Sequence, residues 1–242
     1  MNEIVSNTID ISKLGIKEYD DGSKKHILVS PDNIILWIKY QFEEQEIRYK
    51  KQNGNNPHPF SHFLDLSDCI INTDDEKSSL TNLSDILNEK YKAELPNCFT
   101  INGYGIEVLI RIECRNSLIH SAFFHQTKFH EDVNFEGTEF KGHASFGSCI
   151  FEKRADFTKT NFTGNFEFER STFYGVVLFN YAKFDLYQVH FEYSVFNAEF
   201  QATGIKFIND DQRKDKPNNK PYISFYGCTT KFLNNRKKAI HL

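Results

Sequence analysis

The chain has 242 residues, a formal net charge of −4 and an ordinary apolar share of 39%, enough for one large or two modest domains and too mildly charged to imply nucleic acid by itself. No stretch approaches the roughly 20 apolar residues of a membrane span, and five scattered Cys without CxxC spacing read as reduced thiols, not as a disulfide framework or zinc site. The choice of apolar residue is the unusual feature. There are 24 Phe against one Met and one Trp, and most of the Phe follow residue 120, which marks a repeated structural slot.

The opening MNEIVSNTIDISK has neither a basic nor an apolar signal-peptide region, so a cytoplasmic location is predicted. Lys17 to Val29 reads as a hairpin around Asp20-Asp21-Gly22. Pro31 to Lys51 reads as a helix with Ser30 as N-cap and basic residues toward its end. Asn53 to His58 is a loop, and Phe63 to Cys69 looks faintly like one turn of the repeat described next. Ser79 to Lys92 reads as a shorter helix ended by Pro96, and Ile106 to Ile112 leads into the repeat. Residues 1–105 are therefore expected to form an N-terminal α+β capping region over the open end of the repeat.

From residue 122 the register is regular. Phe stands at Phe124, Phe129, Phe135, Phe140, Phe146, Phe151, Phe157, Phe162, Phe168, Phe173, Phe179 and Phe184, with gaps alternating between five and six. After a slip of one residue it resumes at Phe191, Phe196 and Phe207, with Ala202 in the intervening slot. Two residues before each Phe the chain is mostly small or β-branched: Ala122, Thr127, Val133, Thr138, Ala144, Cys149, Ala155 and Thr160 open that series. Phe200 stands two before Ala202, and Phe166 two before Phe168, so both positions are expected to face one interior and exchange bulk. Gaps of five and six do not fit one face of a helix, and the Phe, Thr, Val and Gly content opposes a long one. Extended backbone puts residues two apart on one side, so short strands separated by corners wind into an all-β solenoid.

Ala155-Asp156-Phe157-Thr158-Lys159-Thr160-Asn161-Phe162 and Ala144-Ser145-Phe146 resemble the pentapeptide-repeat family, whose unit is A-(D/N)-(L/F)-x-x. The resemblance covers residues 122–208, with a partial return at Ile223-Ser224-Phe225 and Thr230-Lys231-Phe232. It implies a right-handed quadrilateral β-helix with four units per coil, here lengthened from 20 to 22 residues by the sixth residue of alternate units. Two corners per coil are then looser. Four columns follow: Phe124/Phe146/Phe168, Phe129/Phe151/Phe173, Phe135/Phe157/Phe179 and Phe140/Phe162/Phe184. The β-helix is expected over 106–208, a polar inserted loop over 209–221, and a final partial coil with a basic tail over 222–242, where 209–242 carry eight Lys+Arg against three Asp+Glu.

Enzyme signatures are absent: no Gly-rich phosphate loop, GxSxG, HExxH or spaced Cys/His set occurs. The chain is expected to be non-enzymatic, with no catalytic residue, metal or cofactor. Asp65, Asp68 and Asp74-Asp75-Glu76 read as solvated loops, and His58, His62, His120, His125, His130 and His143 as surface imidazoles. The outward residue before each Phe gives the column Lys128, Ile150, Thr172, Val195; Leu178 lies on the neighbouring face, and Tyr174 and Tyr187 at corners. Ile150, Thr172, Tyr174, Leu178, Tyr187 and Val195 form the candidate partner-binding face.

These features predict a protein–protein interaction scaffold, with an unidentified protein partner or a second copy docking on a face or an end. The resemblance offers one alternative, a DNA-mimicking modulator of a type II topoisomerase such as gyrase. Outward Lys128, Lys141, Lys153, Arg154, Lys159, Lys183 and Lys206 break its acidic columns, and 122–208 net only −3 (eight Lys+Arg, eleven Asp+Glu). A further alternative places an activity in residues 1–100, and another recruits the protein to membranes through the basic residues Arg213, Lys214, Lys216, Lys220, Arg236, Lys237 and Lys238.

Overall fold

A computed structural model describes residues 17–20, 25–29, 34–54, 63–71, 99–102, 105–119, 122–185, 188–208 and 222–230. The predicted helix Ser79–Lys92, the whole 209–221 loop, His58, His62, Asp74-Asp75-Glu76, His120, Tyr187 and the tail from residue 231 lie outside the described residues.

The Phe repeat forms a parallel β-solenoid with four faces, numbered here in chain order from Ala122, as a quadrilateral β-helix requires. Face 1 holds Ala122–Phe123, Ala144–Ser145 and Phe166–Glu167, followed on the same side by the pair Gln188–His190 and Tyr222–Ser224. Face 2 stacks Gly105–Val108, Lys128–Phe129, Ile150–Phe151, Thr172–Phe173, Val195–Phe196 and Thr229–Thr230. Face 3 runs from Phe63–Asp65 through Arg111–Glu113, Val133–Asn134, Ala155–Asp156 and Val177–Leu178 to Phe200–Gln201. Face 4 runs from Cys69–Ile71 through Leu118–Ile119, Glu139–Phe140, Asn161–Phe162 and Lys183–Phe184 to Lys206–Phe207.

The five- and six-residue units make different corners. In the five-residue unit the Phe opens a turn whose third residue has positive φ, as at Gln126 (58°), Gly137 (70°), Ser148 (57°), Lys159 (57°) and Tyr193 (57°). The turn closes with an N–H to C=O bond, Thr138 to Phe135 at 3.0 Å and Thr127 to Phe124 at 2.9 Å, the type II pattern. The sixth residue enters at the other two corners. There successive coils pass so closely that a Cβ on Gly164 would lie 2.0 Å from the Gly142 carbonyl oxygen, and one on Gly175 2.1 Å from that of Lys153.

Paired residues in successive coils are usually 22 apart, as Lys128 with Ile150 and Val133 with Ala155. Earlier the step is 21 (Leu118 with Glu139), and later 23 (Lys183 with Lys206). Each change falls at the corner from face 4 to face 1. Ile119 to Ala122 spans three residues, Phe140 to Ala144 four and Phe184 to Val189 five.

Inside, the rings stack in columns. Phe124–Phe146–Phe168–Phe191–Phe225 lie at successive centroid distances of 5.2, 4.8, 5.5 and 5.3 Å. Phe129–Phe151–Phe173–Phe196 lie at 5.0, 5.0 and 5.1 Å, within 12° of parallel. Phe135–Phe157–Phe179 and Phe140–Phe162–Phe184 make the other two, with neighbouring columns meeting edge to face, as Phe157 on Phe168 at 87°. Offset stacks within columns and edge contacts between them satisfy the ring quadrupoles in both directions. Beyond Phe179 the slot holds Ala202, and Phe200 fills the space from two residues back, 5.9 Å from Phe179. Phe207, in the last described strand of face 4, is only half-buried.

The small interior position alternates in chemistry. Entering faces 2 and 4, after the tight turn, it is mostly hydroxyl or thiol, and most of these groups donate to the turn carbonyl one coil earlier. Thr160 donates to Phe135 O at 2.8 Å, Ser171 to Phe146 O at 2.7 Å, Ser194 to Phe168 O at 2.9 Å and Cys149 to Phe124 O at 2.7 Å. On faces 1 and 3 it is hydrocarbon: Ala122, Val133, Ala144, Ala155, Phe166, Val177 and Val189. A buried hydroxyl needs a partner, and the carbonyl of the tight turn supplies it.

At the N-terminal end Phe63–Asp65 and Cys69–Ile71 join the stack directly. The hairpin Lys17–Asp20/Lys25–Val29 extends face 4, and Phe99–Asn102 folds antiparallel onto face 2. The edge of face 3 is closed differently, by helix α1 (Ile34–Asn53). The Gln45 amide donates to Phe63 O (2.9 Å) and accepts from Phe63 N (3.2 Å). Gln41 does the same with Asp65, accepting from its N at 2.7 Å and donating to its O, to which Trp37 Nε1 also donates at 3.2 Å. Two side-chain amides thus stand in for a neighbouring strand.

Candidate functional site

Because Phe and the small residue both point inward, any recognition surface is built from outward strand positions and corners. On face 2 the outward column reads Glu107, Lys128, Ile150, Thr172, Val195, Thr229. Its first half is a charged network. Lys128 Nζ lies 2.7 Å from Glu152, and the His130 ring bridges Glu152 (2.9 Å) and Glu107 (3.2 Å). The hydrogen bond between them raises the Lys128 pKa and lowers that of Glu152, so both stay ionised.

The second half is apolar. Ile150, Thr172 and Val195 are half-buried, and Tyr174 stands beside them 55% exposed. Across the corner from face 1, Tyr193 (53%) and Tyr226 (69%) border the same face and touch edge to face at 5.7 Å. Glycines make room for them. A Cβ on Gly227 would meet the Tyr193 ring at 2.6 Å, and Gly204 has the same relation to Tyr181 at another corner.

Of the sequence-predicted set, Ile150, Thr172, Tyr174 and Val195 come together here. Leu178 lies on face 3, in register with Asp156 and Gln201, and Tyr187 is outside the described residues. Tyr181, Tyr193 and Tyr226 were missed. Their signal was position: each stands one or two residues after an interior Phe, where the tight turn faces solvent.

Face 3 is the acidic column, with Glu113, Asn134 and Asp156 in register. Cations hold its carboxylates: Glu113 pairs with Arg111 (3.3 Å) and Arg115 (3.4 Å), and Asp156 with Arg154. At nearby corners Lys153 pairs with Glu131, and Lys159 with Glu136 at 3.4 Å. Interior thiols are held protonated. Burial first, then nearby Asp65 and Asp68, pushes Cys69 up to about 12, while burial dominates the upward shifts at Cys114 and Cys149. None of these three is poised as a nucleophile. His125 sits in an exposed turn and His143 lies 3.5 Å from Glu167, while Glu169, His190 and Glu192 gather on face 1. No helix among the described residues is long and apolar enough to cross a membrane.

A family model described as pentapeptide repeats (nine copies) matches residues 117–161. No curated protein and no solved structure matches the chain.

Proposed function

We propose that this pentapeptide-repeat β-helix is a non-enzymatic scaffold that docks a protein partner on the apolar half of face 2. The observation that carries the reading is the strip Ile150–Thr172–Val195 with exposed Tyr174, Tyr193 and Tyr226 at its margins. Tyr offers large contact area with few rotors and is enriched where binding energy concentrates. The strands beneath it are locked by stacked Phe, so little ordering entropy is lost on docking.

The pairing of face 3 carboxylates with Arg argues against mimicry of a phosphate backbone, which needs unneutralised negative charge in series. The decisive experiment is affinity purification from the native host with an Ile150→Asp/Val195→Asp variant as control. Specific loss of a protein partner from the variant supports the reading, and an unchanged set of partners sinks it.

A further inference from the structure

Face 1 carries a second arrangement that a docking function does not use. Stacking in register brings Glu169 of one coil beside His190 and Glu192 of the next, and one ligand atom from each lies within 4.8 Å of the other two. His190 Nδ1 and Glu192 Oε1 are 3.2 Å apart, close to the about 3.3 Å between neighbouring donors around a tetrahedral zinc ion with bonds of about 2.0 Å. Ser224, in the strand paired with His190, donates to the same Glu192 oxygen at 2.9 Å and fixes that carboxylate from behind. This is the outer support that metal-binding carboxylates commonly have.

Glu113, Glu131, Glu136, Glu152 and Asp156 each have a Lys or Arg partner. Glu169 and Glu192 have none among the described residues, and yet a carboxylate oxygen of each lies within 4.8 Å of the other. Two carboxylates brought together without a cation repel. A divalent ion would relieve that repulsion.

We infer that Glu169, His190 and Glu192 form a three-ligand surface site for a divalent transition-metal ion of the zinc type. Two carboxylates and an imidazole are borderline-hard donors that suit Zn²⁺ and its first-row neighbours. Three protein ligands leave a position for water or for a group from a partner.

The test is calorimetric titration of the tag-free full chain with ZnCl₂, with visible absorption of bound Co²⁺ as a second readout. One saturable site per chain is expected. His190→Ala and Glu169→Gln should each weaken it about tenfold or more, with circular dichroism unchanged because both side chains lie outside the Phe stack. His143→Ala, an imidazole on the same face that pairs with Glu167, should bind like the parent. No saturable binding, equal binding in His190→Ala and Glu169→Gln, or an equal loss in His143→Ala overturns the assignment. The residues are distinct from the face 2 strip, so this outcome is independent of partner docking.

Discussion

Thr160 and Ala182 occupy equivalent interior slots one coil apart, and only the first carries a hydroxyl. Thr160 donates to the Phe135 carbonyl, which also closes its own turn by accepting from Thr138 N. Thr160→Val removes that second bond at nearly constant volume and should cost about 1 kcal/mol. Ala182 stands 25 residues after Phe157, the same step that separates Thr160 from Phe135. Ala182→Ser is therefore expected to add up to about 1 kcal/mol by making the missing bond. Urea midpoints of the two variants should move in opposite directions, and a shift of the same sign would contradict the role given to the turn carbonyl. The alternation Ala122, Thr127, Val133, Thr138 was legible in the sequence, but only as "small or β-branched". Its cause lies in which corner is a tight turn, and spacing alone does not say where that turn's carbonyl points.

Among the elements, α1 best shows the limit of a local reading. Its existence follows from sequence pattern, with Pro31 to Lys51 expected and Ile34–Asn53 found. Its task does not. Gln41 and Gln45 are four residues apart, about 6 Å along a helix, and the Phe63 and Asp65 backbone groups are two apart, about 6.7 Å along a strand. The near match lets two amides satisfy one strand edge, and nothing in the helix's own periodicity marks those glutamines. Gln41→Leu/Gln45→Leu should leave at least the Phe63 groups and the Asp65 N–H unpaired, at about 1–3 kcal/mol for each buried group. It should also expose a strand edge, so size-exclusion chromatography is expected to show concentration-dependent association. A monomeric double variant of parental stability would refute the capping role. The hairpin over Lys17–Val29 was equally readable, yet its parallel pairing to Cys69–Ile71 is a long-range contact invisible to turn chemistry.

Across the whole molecule each coil touches only its neighbours, so stability is close to a sum of coils and of interfaces between them. A ring deep in a column loses partners above and below, and one at an end loses partners on one side. Phe157→Ala, between Phe135 and Phe179, should cost about 3–5 kcal/mol. Phe207→Ala, half-buried and 6.1 Å from Phe184, should cost about half that or less. Equal losses in guanidinium unfolding would mean that the last coil is as well covered as the middle. At this scale the Phe period was enough to derive a solenoid and its interior, and the four faces followed from the family resemblance that the period carries. Tyr181, Tyr193 and Tyr226 were marked only by their place just after an interior Phe, and the face 1 cluster was not derivable, because it depends on which outward positions of different coils come into register.

The corner between faces 4 and 1 carries a consequence of another kind. Coils of 21, 22 and 23 residues all adjust their length at that edge while every Phe keeps its column. The rod thus separates a fixed interior from one editable margin. Residues added or removed along that seam change what the molecule displays without being read by the stack, whereas a single residue gained within any two-residue strand would turn the rings downstream toward water.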